Sequence, residues 1–212
     1  MDLQIVQLPL GMTMTNAYLV AESSSSKAVV IDPGFDGDKI VAEAETRGWE
    51  IEAIWLTHAH FDHLGGVGAV VAGLDHNPVI AMHPEDEWLW EVDGGAGLFG
   101  VAGVDKGPEP NLWLQAGQVL ELGEYSFEVR HAPGHTPGHV MFYCQEAGVL
   151  FCGDVIFQGS IGRTDLPRGS YQELLESIRN QVLNLPDETR LLNGHGPETT
   201  VGRERVYNPF LS

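Results

Sequence analysis

The sequence has few cysteines, few basic residues and no long apolar run. Only two of its 212 residues are cysteines, Cys144 and Cys152, and both lie in apolar segments, so we expect small core residues rather than a disulfide framework. Eleven basic residues face thirty acidic ones, and the formal charge of −19 disfavours binding to nucleic acid or to an anionic membrane. No apolar run approaches the roughly 18 residues that span a bilayer.

The N-terminal segment also lacks the features of a signal peptide. It has no basic region, and Gln and Thr interrupt its apolar stretches. We therefore expect a cytoplasmic protein. Residues 1–212 are expected to form one domain, because no linker-like tract divides them.

Short apolar segments that are typical of strands recur along the chain. Nine are predicted, at IVQL, NAYLVA, AVVID, AIWL, PVIAM, SFEVR, HVMFYC, GVLFC and RLLN. Three helices are predicted between them: over 37–47, ending at Gly48; from Leu64 within LGGVGAVVAGL; and after Ser170, which has capping-box spacing with Glu173.

The stretch 93–110 is rich in glycine and proline and is predicted to be a long loop. Its Leu98 and Phe99 could cover a functional site. We favour the simpler expectation that they pack onto the core.

The segment THAHFDHLGG at 57–66 concentrates coordinating side chains directly after a predicted strand. His58 and His60 occupy alternate positions, which point to the same side of an extended chain, whereas Asp62 and His63 follow once the chain has begun to turn. Four ionisable groups packed this closely are difficult to accommodate without a cation. The segment therefore predicts a metal site, with two histidines offered to one ion and an Asp-His pair to a second.

Three further candidate ligands lie just beyond other predicted strands. His135 follows SFEVR, Asp154 follows GVLFC and His195 follows RLLN. Each could by itself be a surface or turn residue, but loops at one edge of a sheet can converge. With the 57–66 cluster they make seven nitrogen and oxygen ligands without a thiolate. Such a set suits two catalytic metals that share a carboxylate better than a structural zinc site.

These motifs resemble the metallo-β-lactamase superfamily. THAHFDH, PGHTPGH, the GD at Asp154 and the GHG at His195 carry the resemblance, and CGDVIFQGSIGRTDLP is similar to the glyoxalase II-like branch. The resemblance covers the chain from 31 to 210 and implies an α/β fold, an αββα sandwich with the metals at one edge between two sheets. Only 17 residues follow His195, so we expect no counterpart of the C-terminal helical domain that helps to hold glutathione in glyoxalase II.

The resemblance also implies a role for each candidate. The ligands would form two sets joined by one bridging carboxylate: His58, His60 and His135; Asp62, His63 and His195; and Asp154 as the bridge. Asp32, in IDPG, would brace the histidine loop, unless it only forms an Asp-Pro-Gly turn. Arg163 would face a carboxylate of the substrate, unless it pairs with Asp165. The other histidines are expected in structural roles (His131, His139) or on the surface (His76, His83).

The expected chemistry follows from two divalent cations, with zinc as the first expectation and iron or manganese as alternatives. They would lower the pKa of a bridging water and so supply a hydroxide nucleophile. Asp62 and Asp154 are the expected catalytic carboxylates. Asp62 could orient that hydroxide. We predict hydrolysis of a thioester similar to S-lactoylglutathione, since a thiolate departs without a strong general acid. The partner would be a small-molecule conjugate of glutathione or a related thiol.

Other functions on the same scaffold stay open at this point. Persulfide dioxygenases resemble it, share GRTD-like sequence and use a single iron. A metal-dependent nuclease is disfavoured by the negative charge. A module that binds metal without catalysis ranks lower, because an open two-metal site is reactive.

Overall fold

Two six-stranded sheets pack face to face in the computed structural model, which describes residues 2–211. The first sheet contains, in order across it, β1 (Leu3–Leu10), β2 (Thr15–Glu22), β3 (Lys27–Ile31), β4 (Glu50–Trp55), β5 (Val79–Met82) and β6 (Leu112–Trp113). The second contains β7 (Val119–Leu122), β8 (Tyr125–His131), β9 (Val140–Cys144), β10 (Val149–Gly153), β13 (Arg190–Asn193) and β14 (Thr199–Thr200), in the order β14-β13-β10-β9-β8-β7. A hairpin of β11 (Ile156–Phe157) and β12 (Ser160–Ile161) stands apart.

Helices cover the outer faces of both sheets. They are α1 (Gly37–Arg47), α2 (Phe61–Leu64), α3 (Val67–Ala72), α4 (Glu87–Glu91), α5 (Tyr171–Ser177) and α6 (Val201–Tyr207). Ile40 of α1 and Val70 of α3 belong to the apolar cluster on the first sheet, and Leu174 of α5 belongs to the one on the second. The layers are therefore α/β/β/α, as the sequence predicts. Within residues 2–211, no helix has the length and apolar character needed to cross a membrane.

Strand β2 shows how the two cores are separated. Because successive strand residues point to opposite faces, Leu19 and Ala21 join the cluster beneath the helices while Tyr18 and Val20 face the second sheet. The Tyr18 ring packs against Phe151 of β10 at 5.2 Å between centroids. A strand buried on both faces reads as one continuous apolar run, which is why NAYLVA is recognisable in the sequence.

The predicted elements are present, with two corrections. All nine strands form, and α1 ends at Gly48, whose φ of 70° closes the helix. The helix expected from Leu64 instead begins at Phe61 and is interrupted at Gly65 and Gly66. Gly66 packs so closely on the carbonyl of Pro33 that a side chain there would collide with it. The helix after Ser170 is α-helical only to Ser177 and continues as a π-helical turn over Ile178–Val182.

Parallel pairing directs the functional loops to one edge. β3, β4 and β5 run parallel in the first sheet, and β10 and β13 run parallel in the second. Their carboxyl ends meet where the two sheets are joined, for example by the Asn16 side chain donating to the carbonyl of Asn193 at 3.0 Å. The loops that follow β4, β8, β10 and β13 all open onto this edge.

Candidate metal centre

The structure brings all seven candidate ligands together at this edge. Those of the 57–66 segment follow β4 and start α2, His135 lies between β8 and β9, Asp154 follows β10, and His195 follows β13. His60 precedes α2 in extended conformation, so Asp62 and His63 turn away on the helix. This local change of conformation divides the segment between two positions, as the sequence predicts.

The first position is formed by His58, His60 and His135. All three are buried, and one ring nitrogen from each lies within 4.8 Å of those of the others. The Nδ1 atom of His60 is 2.8 Å from Nε2 of His135, so these two atoms face the same point.

The second position is formed by Asp62, His63 and His195, whose candidate ligand atoms also lie within 4.8 Å of one another. Asp154 lies between the two positions. Its Oδ1 is 3.4 Å from Nε2 of His63, and its Oδ2 is 3.5 Å from Nε2 of His135 and 3.6 Å from Nε2 of His195. One carboxylate therefore reaches both groups, which is the position a bridging ligand needs.

Hydrogen bonds behind the cluster fix which nitrogen of each histidine carries the proton. Asp32 accepts from the backbone and hydroxyl of Thr57 at 2.8 and 2.6 Å and from Nδ1 of His63 at 2.9 Å. Since the hydroxyl proton of Thr57 is donated to Asp32, this oxygen accepts from Nδ1 of His58 at 3.0 Å. Nδ1 of His135 donates to the carbonyl of Arg163 at 2.7 Å. In all three rings it is thus Nε2 that faces the cluster.

Several of these inward-facing atoms are buried without a hydrogen-bond partner. They include Nε2 of His58, Nε2 of His63 and Oδ1 of Asp154. Buried polar atoms are normally paired, because an unpaired one costs about 1–3 kcal/mol. Unpaired lone pairs from imidazoles and a carboxylate, converging on one place, fit divalent cations.

The electrostatics differ between the two positions. Burial, followed by the neighbouring imidazoles, lowers the pKa of His58 well below its ordinary value, and burial together with His135 lowers the pKa of His60 to about 3. Burial would also lower the pKa of His63, but the carboxylates of Asp154 and Asp32 outweigh it and raise that pKa. The imidazoles of the first position are therefore neutral. At the second position, burial would lower the pKa of His195, but the carboxylates of Asp154 and Asp62 outweigh it and raise that pKa, so protonated imidazoles are favoured there.

Asp86 is a supporting residue that the sequence analysis missed. Its buried carboxylate accepts from the backbone of Ala59 at 3.1 Å, from the hydroxyl of Thr136 at 2.7 Å and from the backbone of Gly138 at 2.7 Å. Ala59 lies between two candidate ligands, and Thr136 follows His135. Asp86 therefore ties the loop after β4 to the loop after β8.

Comparison with known proteins agrees with the geometry. The sequence model of the metallo-beta-lactamase superfamily matches residues 10–195. The chain belongs to this superfamily. It is 37% identical over 215 residues to the hydroxyacylglutathione hydrolase GloC of Haemophilus influenzae, covering 100% of this chain and 99% of GloC.

Two solved structures of the superfamily are similar over nearly their whole length. The BLEG-1 B3 metallo-beta-lactamase is 40% identical with a TM-score of 0.91, covering 99% of this chain and 100% of that one. TTHA1623, crystallised in a di-iron-bound form, is 43% identical with a TM-score of 0.87, covering 97% and 100%. A metallo-β-lactamase fold with this His/Asp cluster implies divalent metals. In TTHA1623 the bound metal is iron rather than zinc.

Arg163 forms the pair with Asp165 that was the alternative interpretation of it in the sequence. Its guanidinium forms two hydrogen bonds with Asp165, at 2.7 and 2.8 Å, and it also lines the cleft of this metallo-β-lactamase fold in front of the cluster. The cleft has a volume of about 460 Å³, and Asp62, Asp154 and His195 are among its lining residues. Arg163 is thus a half-exposed cation at the wall of the cleft, already partly neutralised by Asp165.

Two expectations about other residues are wrong. Leu98 and Phe99 are not buried in the core: they are 64% and 46% exposed, although the Phe99 ring contacts Phe61 at 5.3 Å. Of the predicted loop over 93–110, Asp93–Phe99 forms short 3₁₀ turns beside the cleft, and 101–110 has no helix or strand, as predicted. His83 is not on the surface, since it is only 8% exposed and stacks on His131 at 4.3 Å.

The stacked pair of His83 and His131 does not form a further metal site with the nearby Glu85. The two rings are within 15° of parallel, so their in-plane lone pairs cannot converge on one ion. Nε2 of His131 also donates to the carbonyl of Pro137 at 2.8 Å. The pair serves to connect β5 with β8.

Proposed function

We propose that this protein is a metal-dependent thioester hydrolase acting on S-lactoylglutathione or a similar thiol conjugate. The observation that carries the proposal is the set of buried, unpaired imidazole and carboxylate atoms that face one another behind a cleft lined by Asp62, Asp154 and His195. The full-length similarity to a hydroxyacylglutathione hydrolase supports the choice of a thioester.

Two groups of side chains would hold the metals, with Asp154 between them: His58, His60 and His135 on one side; Asp62, His63 and His195 on the other. Two divalent cations held there would supply a bound water of lowered pKa and would polarise an acyl oxygen. Neutral imidazoles at the first position need lose no proton to bind a cation, which favours loading at neutral pH.

In this proposal, Asp62 would orient the attacking water. Thr15 donates to Oδ2 of Asp62 at 3.2 Å, and Nε2 of His195 lies 3.4 Å from the same oxygen. Burial would raise the pKa of Asp62, but the contacts with His195 and His63 lower it, so the group is ionised and can accept a hydrogen bond from water. The water oxygen then bonds to the acyl carbon and the C–S bond breaks. The thiolate leaves with the electron pair, the acyl group remains as a carboxylate, and the two protons of the water pass to solvent.

The thiols of the chain are unsuited to act as the nucleophile. Cys144 and Cys152 are both buried, and burial raises the pKa of Cys144 to about 11 and that of Cys152 further still. A thiolate leaving group also requires little protonation, because an ordinary thiol has a pKa of about 8.5. Water, rather than a side chain of the protein, is therefore the nucleophile in this proposal.

A second candidate is an iron-dependent oxygenase of persulfides on the same fold. TTHA1623, which is 43% identical to this chain, was crystallised in a di-iron-bound form, and this observation favours an iron-dependent function as the second candidate. This function would need one iron and dioxygen instead of two ions and water.

The deciding experiment combines activity and metal analysis on one sample. Metal-loaded protein would be assayed for thiol release from acyl-glutathione and acyl-CoA thioesters, and for oxygen uptake with glutathione persulfide. We expect two metal equivalents, thiol release without oxygen uptake, and loss of release after chelation. The matched control is Asp75→Asn, an exposed carboxylate outside the cluster.

The opposite pattern would overturn the proposal. One iron per chain, oxygen consumption and no thiol release would establish the oxygenase. Metal-loaded protein that turned over no thioester and was unaffected by Asp62→Ala would instead identify a metal-binding module.

A further inference from the structure

An apolar cavity of about 310 Å³ lies beside the cleft. Its walls come from α4, from the turns over 93–99 and from the segment before α5: Trp88, Leu89, Val92, Leu98, Phe99 and Leu166. Binding sites for small molecules are typically concave and mostly apolar, with a few polar groups at one end. This cavity has that character.

The cavity and the cleft are continuous. His60, Phe99 and Leu166 line both of them. His60 is also a candidate ligand of the first metal position, where its Nδ1 is 2.8 Å from Nε2 of His135. A substrate whose carbonyl lies at the cluster can therefore extend one arm past His60 into the cavity.

The wall formed by 93–99 is anchored rather than free. Gly94 has a φ of 64°, and any side chain there would collide with the backbone of Phe61, so the segment packs directly on the start of α2. Lys106 donates to the carbonyl of Trp90 at 2.6 Å and pairs with Asp93 at 3.0 Å. The wall of the cavity is thus held in place by contacts within the chain, and its apolar rim, with Leu98, is exposed to water.

The distribution of charged side chains indicates which part of a thioester substrate lies in the cleft and which lies in the cavity. Arg163 lines the cleft, with its guanidinium 5.8 Å from the centre of the Phe99 ring. Arg168 lies over the ring of Trp88 at 4.3 Å and lines neither the cleft nor the cavity. In a chain with a net charge of −19, Arg163 marks where an anionic group is tolerated, whereas the lining of the cavity, among residues 2–211, includes no arginine or lysine. The thiols that carry acyl groups in cells, such as glutathione and coenzyme A, are anionic, so the thiol arm belongs in the cleft at Arg163 and the acyl arm in the cavity.

We propose that the cavity binds the acyl group of the substrate, and that the preferred substrates are thioesters of an apolar acyl group with an anionic thiol. This inference rests on the proposed thioester hydrolysis and narrows its substrate class. An alkyl or aryl acyl group fits the apolar cavity better than the small, polar lactoyl group does.

The test compares acyl groups on one thiol and thiols with one acyl group. S-lactoyl-, S-hexanoyl- and S-phenylacetylglutathione would be assayed together with hexanoyl-CoA. We expect kcat/KM to be roughly tenfold or more higher for the apolar acyl groups than for lactoyl, which is within the range that apolar pockets achieve. The glutathione and coenzyme A arms distinguish the two sources of the anionic thiol.

Gly97→Leu tests the cavity itself. Gly97 lines the cavity, has open space at its β-carbon position and needs no positive φ, so the new side chain can fill the cavity without backbone strain. We expect the ratio of kcat/KM for hexanoyl over lactoyl to fall about tenfold. The matched control is Ala102→Leu, an exposed position that lines neither cavity nor cleft. Leu98→Ser, at the exposed rim, should also lower this ratio, because it removes apolar surface from the cavity wall instead of filling the cavity.

The possible failures are distinguishable. Turnover of lactoyl and apolar thioesters at equal rates, with no change of the ratio in Gly97→Leu, would overturn this inference and leave the hydrolase intact. A preference that followed the apolarity of the thiol would also overturn it. Absence of turnover on every thioester would remove the proposed function and this inference with it.

Discussion

Asp32 orients the candidate centre although it does not face the cleft. It accepts from Thr57 and from Nδ1 of His63, and through Thr57 it also sets the ring of His58. A carboxylate behind a ligating histidine holds the ring in place and increases its basicity. The IDPG motif is thus more than the Asp-Pro-Gly turn that was the alternative interpretation.

Asp32→Asn should weaken metal binding by roughly 10–100-fold, because the amide cannot accept from all three donors. Asp32 has a φ of 50°, a conformation that Asn tolerates, so the variant tests the hydrogen bonds rather than the backbone. The measurement is a competition titration with a chelator, with the exposed Asp38→Asn on α1 as control. An affinity equal to that of the control would show that Asp32 is not a supporting group.

Asp154→Ala should remove at least half of the bound metal and lower turnover by roughly 100-fold or more. Asp154 reaches both metal positions, so its loss should be at least as severe as the loss of a residue that only supports a ligand. Its two oxygens lie 3.4–3.6 Å from Nε2 atoms of three histidines. Metal content by mass spectrometry and thiol release check this, with the exposed His76→Ala as control. Full metal content in Asp154→Ala and in His58→Ala would contradict the ligand assignment.

At the scale of elements, the short connection between β5 and α4 has a larger role than its length indicates. It carries Asp86, which holds the loop after β4 against the loop after β8 through three hydrogen bonds. These two loops supply the whole first metal position. The geometry of that position therefore depends on an element that contributes none of its ligands.

Asp86→Ala should destabilise the metal-free protein by about 3 kcal/mol or more, since each buried donor left unpaired costs about 1–3 kcal/mol. The metal content of the variant should also fall, because Asp86 holds Ala59 and Thr136, which lie next to candidate ligands. Urea unfolding checks the first expectation and mass spectrometry the second, with Asp75→Ala as an exposed control. Unchanged midpoints would show that the two loops hold their positions without Asp86.

The sequence could predict the ligand-bearing strands but not this support. Segments such as NAYLVA and GVLFC are buried on both faces, and such apolar runs are visible in the letters. Asp86 lies in EDEWLWE, where nothing local distinguishes it from the exposed Glu85 and Glu87, and only the fold brings it to Thr136. Five strands were missed. Four of them (β6, β11, β12, β14) have two residues each, which carry no periodic signal, and the fifth is the four-residue β7.

For the exposed Leu98 and Phe99, the reason for the error is different. Apolar residues in a glycine-rich stretch usually pack onto the core, and this general expectation was applied to them. Here Gly94 holds the segment against Phe61, so that the apolar side chains line a cavity instead. The constraint is a tertiary contact and has no counterpart in the local sequence.

For the molecule as a whole, bound metal should contribute to stability. A ligand present at about 100 times its dissociation constant stabilises the folded state by about 2.7 kcal/mol per site. For a chain of this size, this corresponds to a rise in Tm of about 5–11 °C per site. Calorimetry before and after chelation measures the change, and His58→Ala should show a smaller one. An unchanged Tm after verified metal removal would contradict a site that is complete only in the folded chain.

The net charge of −19 leads to an expectation about partners. We expect no saturable binding of duplex DNA or RNA at physiological salt, because phosphate backbones are repelled. Fluorescence anisotropy with labelled duplexes measures this. Tight binding would restore the nuclease as a candidate.

The ligands of the cluster come from both halves of the chain, and each metal position combines a residue of the 57–66 segment with one that follows the second sheet's strands. During synthesis, the first histidines would emerge from the ribosome long before β13 and His195 exist. Capture of both ions therefore has to wait until the two sheets have closed on each other. A cell that makes this protein would load it after folding, and a partly synthesised chain could hold at most a weak, incomplete version of the centre.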